Sequence, residues 1–515
     1  MDKKNAISVF MGEPTSIDPC YGSEHDGALV LRFLSDPLID FTPDTGEAKP
    51  AAAKSWQVED DGYTIRLFLR ENVFFHHGRN VTAEDYIYSW NRLVSPSQNS
   101  ELSYHLSSIK GFDEVRSGIS NQMSGLKAIG TFELLVSMSE PFAEVPALFG
   151  HHCIAAVPKE LVESNPEKFK DNVISTGPYM LAEPWAHNKY VRLKRFDKYY
   201  EGNEAFIDGG KGYLDEIEFR IYEDINDAYS DWKEGKLDIT KVPPTCLNEA
   251  MSYGDNFRST QCALMQYIGF PNNIPPFNNK LVRQAIALGT KRKNIIDKVF
   301  SGTRPLATSI IPPNIKSNHE EDINNNENIL LCEPDVDKAL NLLEQAGMKL
   351  PLKVPFYYNS GLGHESWINE IKQQLAQIKI ELDLKPLPWG GFLNKLQNGI
   401  DGMFRMTWAI DCPSPDNVLF SLFHSNSIGM DNFSNFSDVK FDATLKEARS
   451  ILDTEQRMLK YQEAENIIIN QLPILPLWYG IQYHMVSLNR FEFLGNRVID
   501  IFGEPVLRHV KMRID

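Results

Sequence analysis

The stretch AAAKSWQVEDDGYTIRLFLRENVFFHHGRNVTAEDYIYSW, residues 51–90, decides the fold. Its Asp61-Gly62 pair is a hairpin signal between two runs of strand character. Tyr63, Ile65, Leu67 and Leu69 alternate with Thr64, Arg66 and Phe68, which predicts a strand with one buried face. Thr82, followed three residues later by Asp85, predicts a capping-box start, and Tyr86, Ile87 and Trp90 continue at helical spacing. The stretch thus reads as a hairpin followed by a capped helix.

The same mixture extends outward in both directions. Residues 7–10 read as a strand, 12–27 as a turn-rich loop and 28–34 as helical. Residues 128–138, 154–157, 214–222, 263–270, 352–358 and 380–384 have strand patterns. Residues 225–232, 280–288, 335–345, 366–378, 438–452 and 455–471 read as helices. There is no internal repeat, and the mixture of strands and helices reads as α+β or α/β.

A chain of 515 residues is too long for one hydrophobic core. At 42% hydrophobic and 11% aromatic it is globular, and a net charge of −17 argues against nucleic acid as a partner. No run reaches the ~18 apolar residues of a membrane span. The N-terminus has two lysines but no long apolar segment after them. The expectation is that a leader has been removed, with a cytoplasmic chain as the alternative. The six cysteines form no CxxC pair, so common zinc and redox patterns are missing. GxSxG, HExxH and GxxxxGK[ST] are also missing, which speaks against an enzyme. His76-His77 and His151-His152 are adjacent pairs; on a strand such neighbours face opposite ways, so neither is expected to hold a metal. No His is placed by sequence to activate Cys412. No cofactor is implied.

Residues 403–417, MFRMTWAIDCPSPDN, read as a buried strand ended by Pro413 and Pro415. Asp411 at its exit either caps the following loop or pairs with a cation such as an ammonium group.

Ala53–Trp56 as text, Asp61-Gly62-Tyr63-Thr64, Phe75-His76-His77-Gly78, Thr82-Ala83-Glu84-Asp85 and Tyr88-Ser89-Trp90 resemble the signature of the family 5 extracellular solute-binding proteins. Thr176-Gly177-Pro178-Tyr179, Pro276-Phe277-Asn278, Val282-Arg283-Gln284-Ala285 and Pro312-Pro313 continue the likeness in order, from about Glu13 to the C-terminus. His77 departs from the usual Asp. The oligopeptide-binding branch of these ABC-importer components is most similar. The resemblance implies a periplasmic binding protein-like clamshell (class II, cluster C) of two lobes with an additional inserted domain. Domain I would be 1–35, 160–261 and 479–515, domain II 36–159, and domain III 262–478. It further implies a monomer outside the cytoplasmic membrane that delivers a peptide or peptide-like ligand to a membrane permease. A cytoplasmic ligand-sensing or biosynthetic accessory protein is the alternative.

By the same resemblance, Asp411, three residues after Trp408, would hold a peptide's α-ammonium. Arg405 and His364 would meet a carboxylate, and Trp389 would wall a pocket. Ser23, Glu24 and His25 would lie in the loop that pairs its backbone with the peptide like an added strand, and Tyr104 would line the cleft. Relatives can carry a disulfide between the regions of Cys262 and Cys412.

Overall fold

The computed structural model describes residues 5–22, 24–200, 202–315, 328–361, 363–410 and 412–513. In it the 51–90 stretch folds as its pattern dictates. Strands Ala53–Glu59 and Thr64–Leu69 pair antiparallel around a turn in which Asp60, Asp61 and Gly62 all take positive φ. Ile65, Leu67 and Leu69 are buried, while Tyr63, beside the turn, is 43% exposed. Thr82 and Asp85 close the capping box of the helix Ala83–Val94. Trp90 of that helix is fully buried and donates its Nε1–H to the Ile154 carbonyl at 2.8 Å.

The chain divides into two units, Met1–Thr260 with Gln482–Asp515, and Gln261–Ile481. It crosses between them within the long strands Phe257–Gly269 and Ile474–Val486. Two of the hydrophobic cores of the first unit pack against its sheets. One lies against the antiparallel sheet Ala53–Glu59, Thr64–Leu69, Glu133–Ser137 and Leu126–Gly130, in that order. The other packs on the mixed strands Tyr179–Leu181, Tyr190–Arg195, Glu216–Ile221, Ala6–Met11 and Ile239–Lys241, again in order. Two motifs of the resemblance meet here. His76 bonds the Ser175 N–H through Nδ1 and contacts the Gly177 carbonyl at 3.1 Å. A Cβ on Gly177 would lie 2.2 Å from the Phe33 carbonyl oxygen, so only glycine lets this turn reach the end of the helix His25–Leu34. His77, the departure from the family pattern, stacks on Phe75 and pairs with Glu160 at 3.3 Å.

In the second unit, strands Leu352–Asn359 and Ile380–Leu387 run parallel, joined by the helix Glu365–Gln377. Met403–Ala409 pairs parallel with Leu352–Asn359 and antiparallel with Phe257–Gly269. Gly269 faces Phe404, whose ring would lie 2.0 Å from an added Cβ.

Several expectations need correction. The first helix begins at His25, not residue 28, because Glu24 accepts from the Asp26 and Gly27 N–H groups. Residues 128–138 form the two strands Leu126–Gly130 and Glu133–Ser137 rather than one. Residues 154–157 are not a strand; His152–Ile154 is a 3-10 turn. That turn also undoes the argument that adjacent histidines face apart, since the rings of His151 and His152 lie 4.1 Å from each other. Pro413 and Pro415 do not merely end a strand: Ser414 caps, and Pro415 opens, the helix Pro415–Phe423. Cys262 and Cys412 are both buried.

Candidate functional site

Met403–Ala409 is a strand because Met403 and Phe404 bury apolar side chains on its two faces. It delivers Arg405 to the interior of the second unit, where the residue is only 6% exposed. The nearest acceptor of its guanidinium is Thr407 Oγ1, 3.4 Å from Nη2, and Nε has no acceptor. Thr407 is itself committed, donating to Gln266 Oε1 at 2.8 Å, while Gln266 Nε2 donates to the Met406 carbonyl at 2.7 Å. Burial pushes Arg405 down to about 10. No carboxylate among the described residues pairs with it.

His364 precedes the helix Glu365–Gln377. Its Nδ1 accepts the Trp367 indole N–H at 3.4 Å, which puts the ring proton on Nε2, and Nε2 is buried without a partner. Burial, with the charge of Arg405 second, pushes His364 down to about 4, so the ring is neutral near pH 7. A guanidinium and an imidazole N–H, close enough to feel each other and both short of acceptors, suit an anion.

The other predicted residues of this unit are not gathered at that point. Strand alternation puts Trp408 on the face opposite Arg405, and its Nε1–H reaches Asn417 Oδ1 at 3.3 Å. Trp389 opens the helix Trp389–Gln397 and is 49% exposed, so it is not core packing. Asp411 lies outside the described residues. Sequence reasoning missed Gln266, which stands opposite Thr407 in the antiparallel register. Only knowledge of the strand partner reveals it.

In the first unit Ser23 lies outside the described residues. Glu24 accepts from the Thr15, Asp26 and Gly27 N–H groups, so its carboxylate is spent on holding the loop to the helix. His25 Nε2 lies 2.8 Å from Lys241 Nζ and 2.9 Å from Glu504 Oε1. One ring nitrogen serves only one of them at a time: unprotonated it accepts from Lys241, protonated it faces Glu504. Glu504, with burial working against it, is held at about 2 by His25 and Lys241, and Glu504 in turn raises His25. Tyr104 is half-buried in the turn Glu101–Leu106 and stacks on His105 at 4.3 Å.

Comparison with known proteins identifies the family and the fold. Residues 47–430 match the model of the bacterial extracellular solute-binding proteins, family 5 middle. A dipeptide-binding protein of Bacillus subtilis, DppE, is 25% identical over 485 residues, covering 92% of this chain and 86% of its own. Among solved structures, the Burkholderia pseudomallei protein OppA aligns with a TM-score of 0.80 at 20% identity, over 100% of both chains. The Helicobacter pylori periplasmic binding protein DppA, solved with the peptide STSA, aligns with a TM-score of 0.79 at 21% identity, over 98% of both. The fold is therefore that of the periplasmic binding proteins.

Proposed function

Because the chain belongs to the bacterial extracellular solute-binding proteins of family 5, we propose that it captures a peptide or peptide-like ligand for an ABC importer. The observation that carries this reading is Arg405, a buried guanidinium with no carboxylate among the described residues, whose charge is felt by a neutral His364. A ligand's carboxylate completes both. Backbone pairing would tolerate many sequences, since main-chain groups are the same in every peptide, but of the expected loop only the residues before the helix His25–Leu34 could take part, because Glu24 caps that helix and His25 opens it. Relatives named for dipeptide and oligopeptide binding support the ligand class. The protein acts as a binder and not as an enzyme. It works as a monomer outside the cytoplasmic membrane, and its partner is the importer's permease. Among the described residues no helix is long and apolar enough to cross a membrane. Division of the first unit at 36–159 belongs to the same proposal, supported by the separate core built largely from those residues. Trp389 and Trp408 would offer side-chain surface, and Tyr104 would do so from the first unit.

The test is at Asp411, to which we assign the ligand's α-ammonium. Truncating one partner of a buried charge pair typically costs about 2–5 kcal/mol, roughly 30- to several-thousand-fold in affinity. Calorimetry should show Asp411→Ala losing that much affinity for an unmodified tripeptide. Wild type should lose a similar amount on N-acetylation of the peptide, and the variant little more. Equal binding of the free-amine peptide by variant and wild type would leave Asp411 as a loop cap.

A further inference from the structure

Four aromatic rings stack in a row in the first unit. Tyr104 and His105 lie 4.3 Å apart, His105 and His151 4.3 Å, and His151 and His152 4.1 Å. Cys153 follows directly and is buried. We propose that His105, His151 and Cys153 form a binding site for one divalent cation of the zinc class.

Each of the three residues offers one ligand atom, and these atoms all lie within 4.8 Å of one another. Two imidazole nitrogens and one thiolate are the donor set that zinc favours, with a fourth position left for water. At ordinary bond lengths such donors stand about 3.3–3.7 Å apart, so side-chain rotation of about 1 Å closes the site. The two turns that carry them pack on the same helix, Ala83–Val94. Trp90 of that helix holds the second turn through the Ile154 carbonyl, and Ser100 holds the first by donating to the Cys20 carbonyl at 2.6 Å. The donors are thus presented by rigid supports.

Packing alone does not explain the arrangement. His105 Nε2 is buried with no hydrogen-bond partner, which a core ring avoids and a metal ligand requires. His151 Nδ1 accepts the Cys153 N–H at 3.1 Å, tying the second imidazole to the backbone that positions the sulfur. His152 does not compete for the ion, because its Nε2 contacts the Gly22 carbonyl at 2.9 Å. Capture of the ion expels the thiol proton to solvent. His105 is only half-buried, which provides an entry path.

Untagged full-length protein, stripped with a chelator, should be titrated with Co2+ as a spectroscopic substitute and then with Zn2+. The expected result is uptake of one equivalent, with strong visible bands of a four-coordinate ion and a near-ultraviolet thiolate charge-transfer band, both displaced by Zn2+. Cys153→Ser should lose the charge-transfer band, and His105→Gln should keep it while binding at least about 10-fold more weakly. Zn2+ should also slow alkylation of Cys153 in wild type, which decides the matter even if Cys153→Ser fails to fold. A charge-transfer band that survives Cys153→Ser, weak six-coordinate bands, or unchanged alkylation of Cys153 would overturn the site.

Discussion

The two units bury arginine in different ways. In the first, Arg508 is 4% exposed and lies 3.1 Å from Asp36, which also accepts from the Tyr199 and Tyr200 hydroxyls at 2.6 and 2.5 Å. Arg92 grips Asp18 with two bonds of 2.6 and 2.9 Å. Both arginines are raised above their ordinary value by these anions. In the second unit, Arg283 donates to the carbonyls of Leu472, Phe277 and Gln471, and Arg292 to those of Ala307, Pro476 and Leu330. Among the described residues Arg405 has Thr407 alone. Burial pushes all three down to about 10. The first unit cancels these buried cations internally. In the second, Arg283, Arg292 and Arg405 have no carboxylate among the described residues, and Arg405 also lacks the carbonyls. On the function proposed above, the difference separates a cation that holds the fold from one that waits for a ligand.

Four substitutions bear on that contrast. The largest loss of stability should follow Arg508→Ala, which strands Asp36 without its cation; removing one partner of a buried pair costs about 3–5 kcal/mol. Urea unfolding followed by circular dichroism measures it, and a loss below about 1 kcal/mol would dissolve the contrast. Arg405→Ala should leave stability within about 1 kcal/mol of wild type, since no anion is stranded. It should weaken binding of a free-carboxylate peptide by about 2–5 kcal/mol and spare the C-terminally amidated peptide. Equal loss with both peptides would show that Arg405 only supports the fold. Arg292→Met should fall between these in stability, costing about 1–3 kcal/mol for carbonyls left without donors.

The smallest effect is expected at His25. Its raised value means that pairing with Glu504 contributes fully below the ordinary 6.5 and is lost as pH rises through the raised value. Glu504, lowered from 4.5 to about 2, contributes above 4.5 and loses its share as pH falls toward about 2. The pair is therefore complete between 4.5 and 6.5. His25 keeps 46% of its side chain in solvent, so His25→Gln should cost at most about 1 kcal/mol at about pH 5.5, and less at about pH 9. A cost that grows with pH would contradict the pairing.

Local patterns made much of this fold legible. The alternation at 63–69, the Thr82–Asp85 box and the Asp61-Gly62 turn are short-range signals, and each is found where it was read. What escaped depends on contacts between distant segments. Ser414-Pro415 carried a readable helix start that the proline-as-breaker reading hid. Arg405 and Trp408 stand three residues apart, yet strand geometry sends them to opposite faces. The pairing of Gln266 with Thr407, and of His105 with His151, has no trace in sequence spacing.

The Asp36–Arg508 pair spans 472 positions of the chain. A growing polypeptide reaches Asp36, Tyr199 and Tyr200 before residues 261–481 and Arg508 after them, and residues 261–481 form one uninterrupted segment. During synthesis the second unit has all its residues before the first does. A ribosome that stops short of Arg508 therefore releases a chain that has every residue of the second unit but leaves Asp36 without its guanidinium.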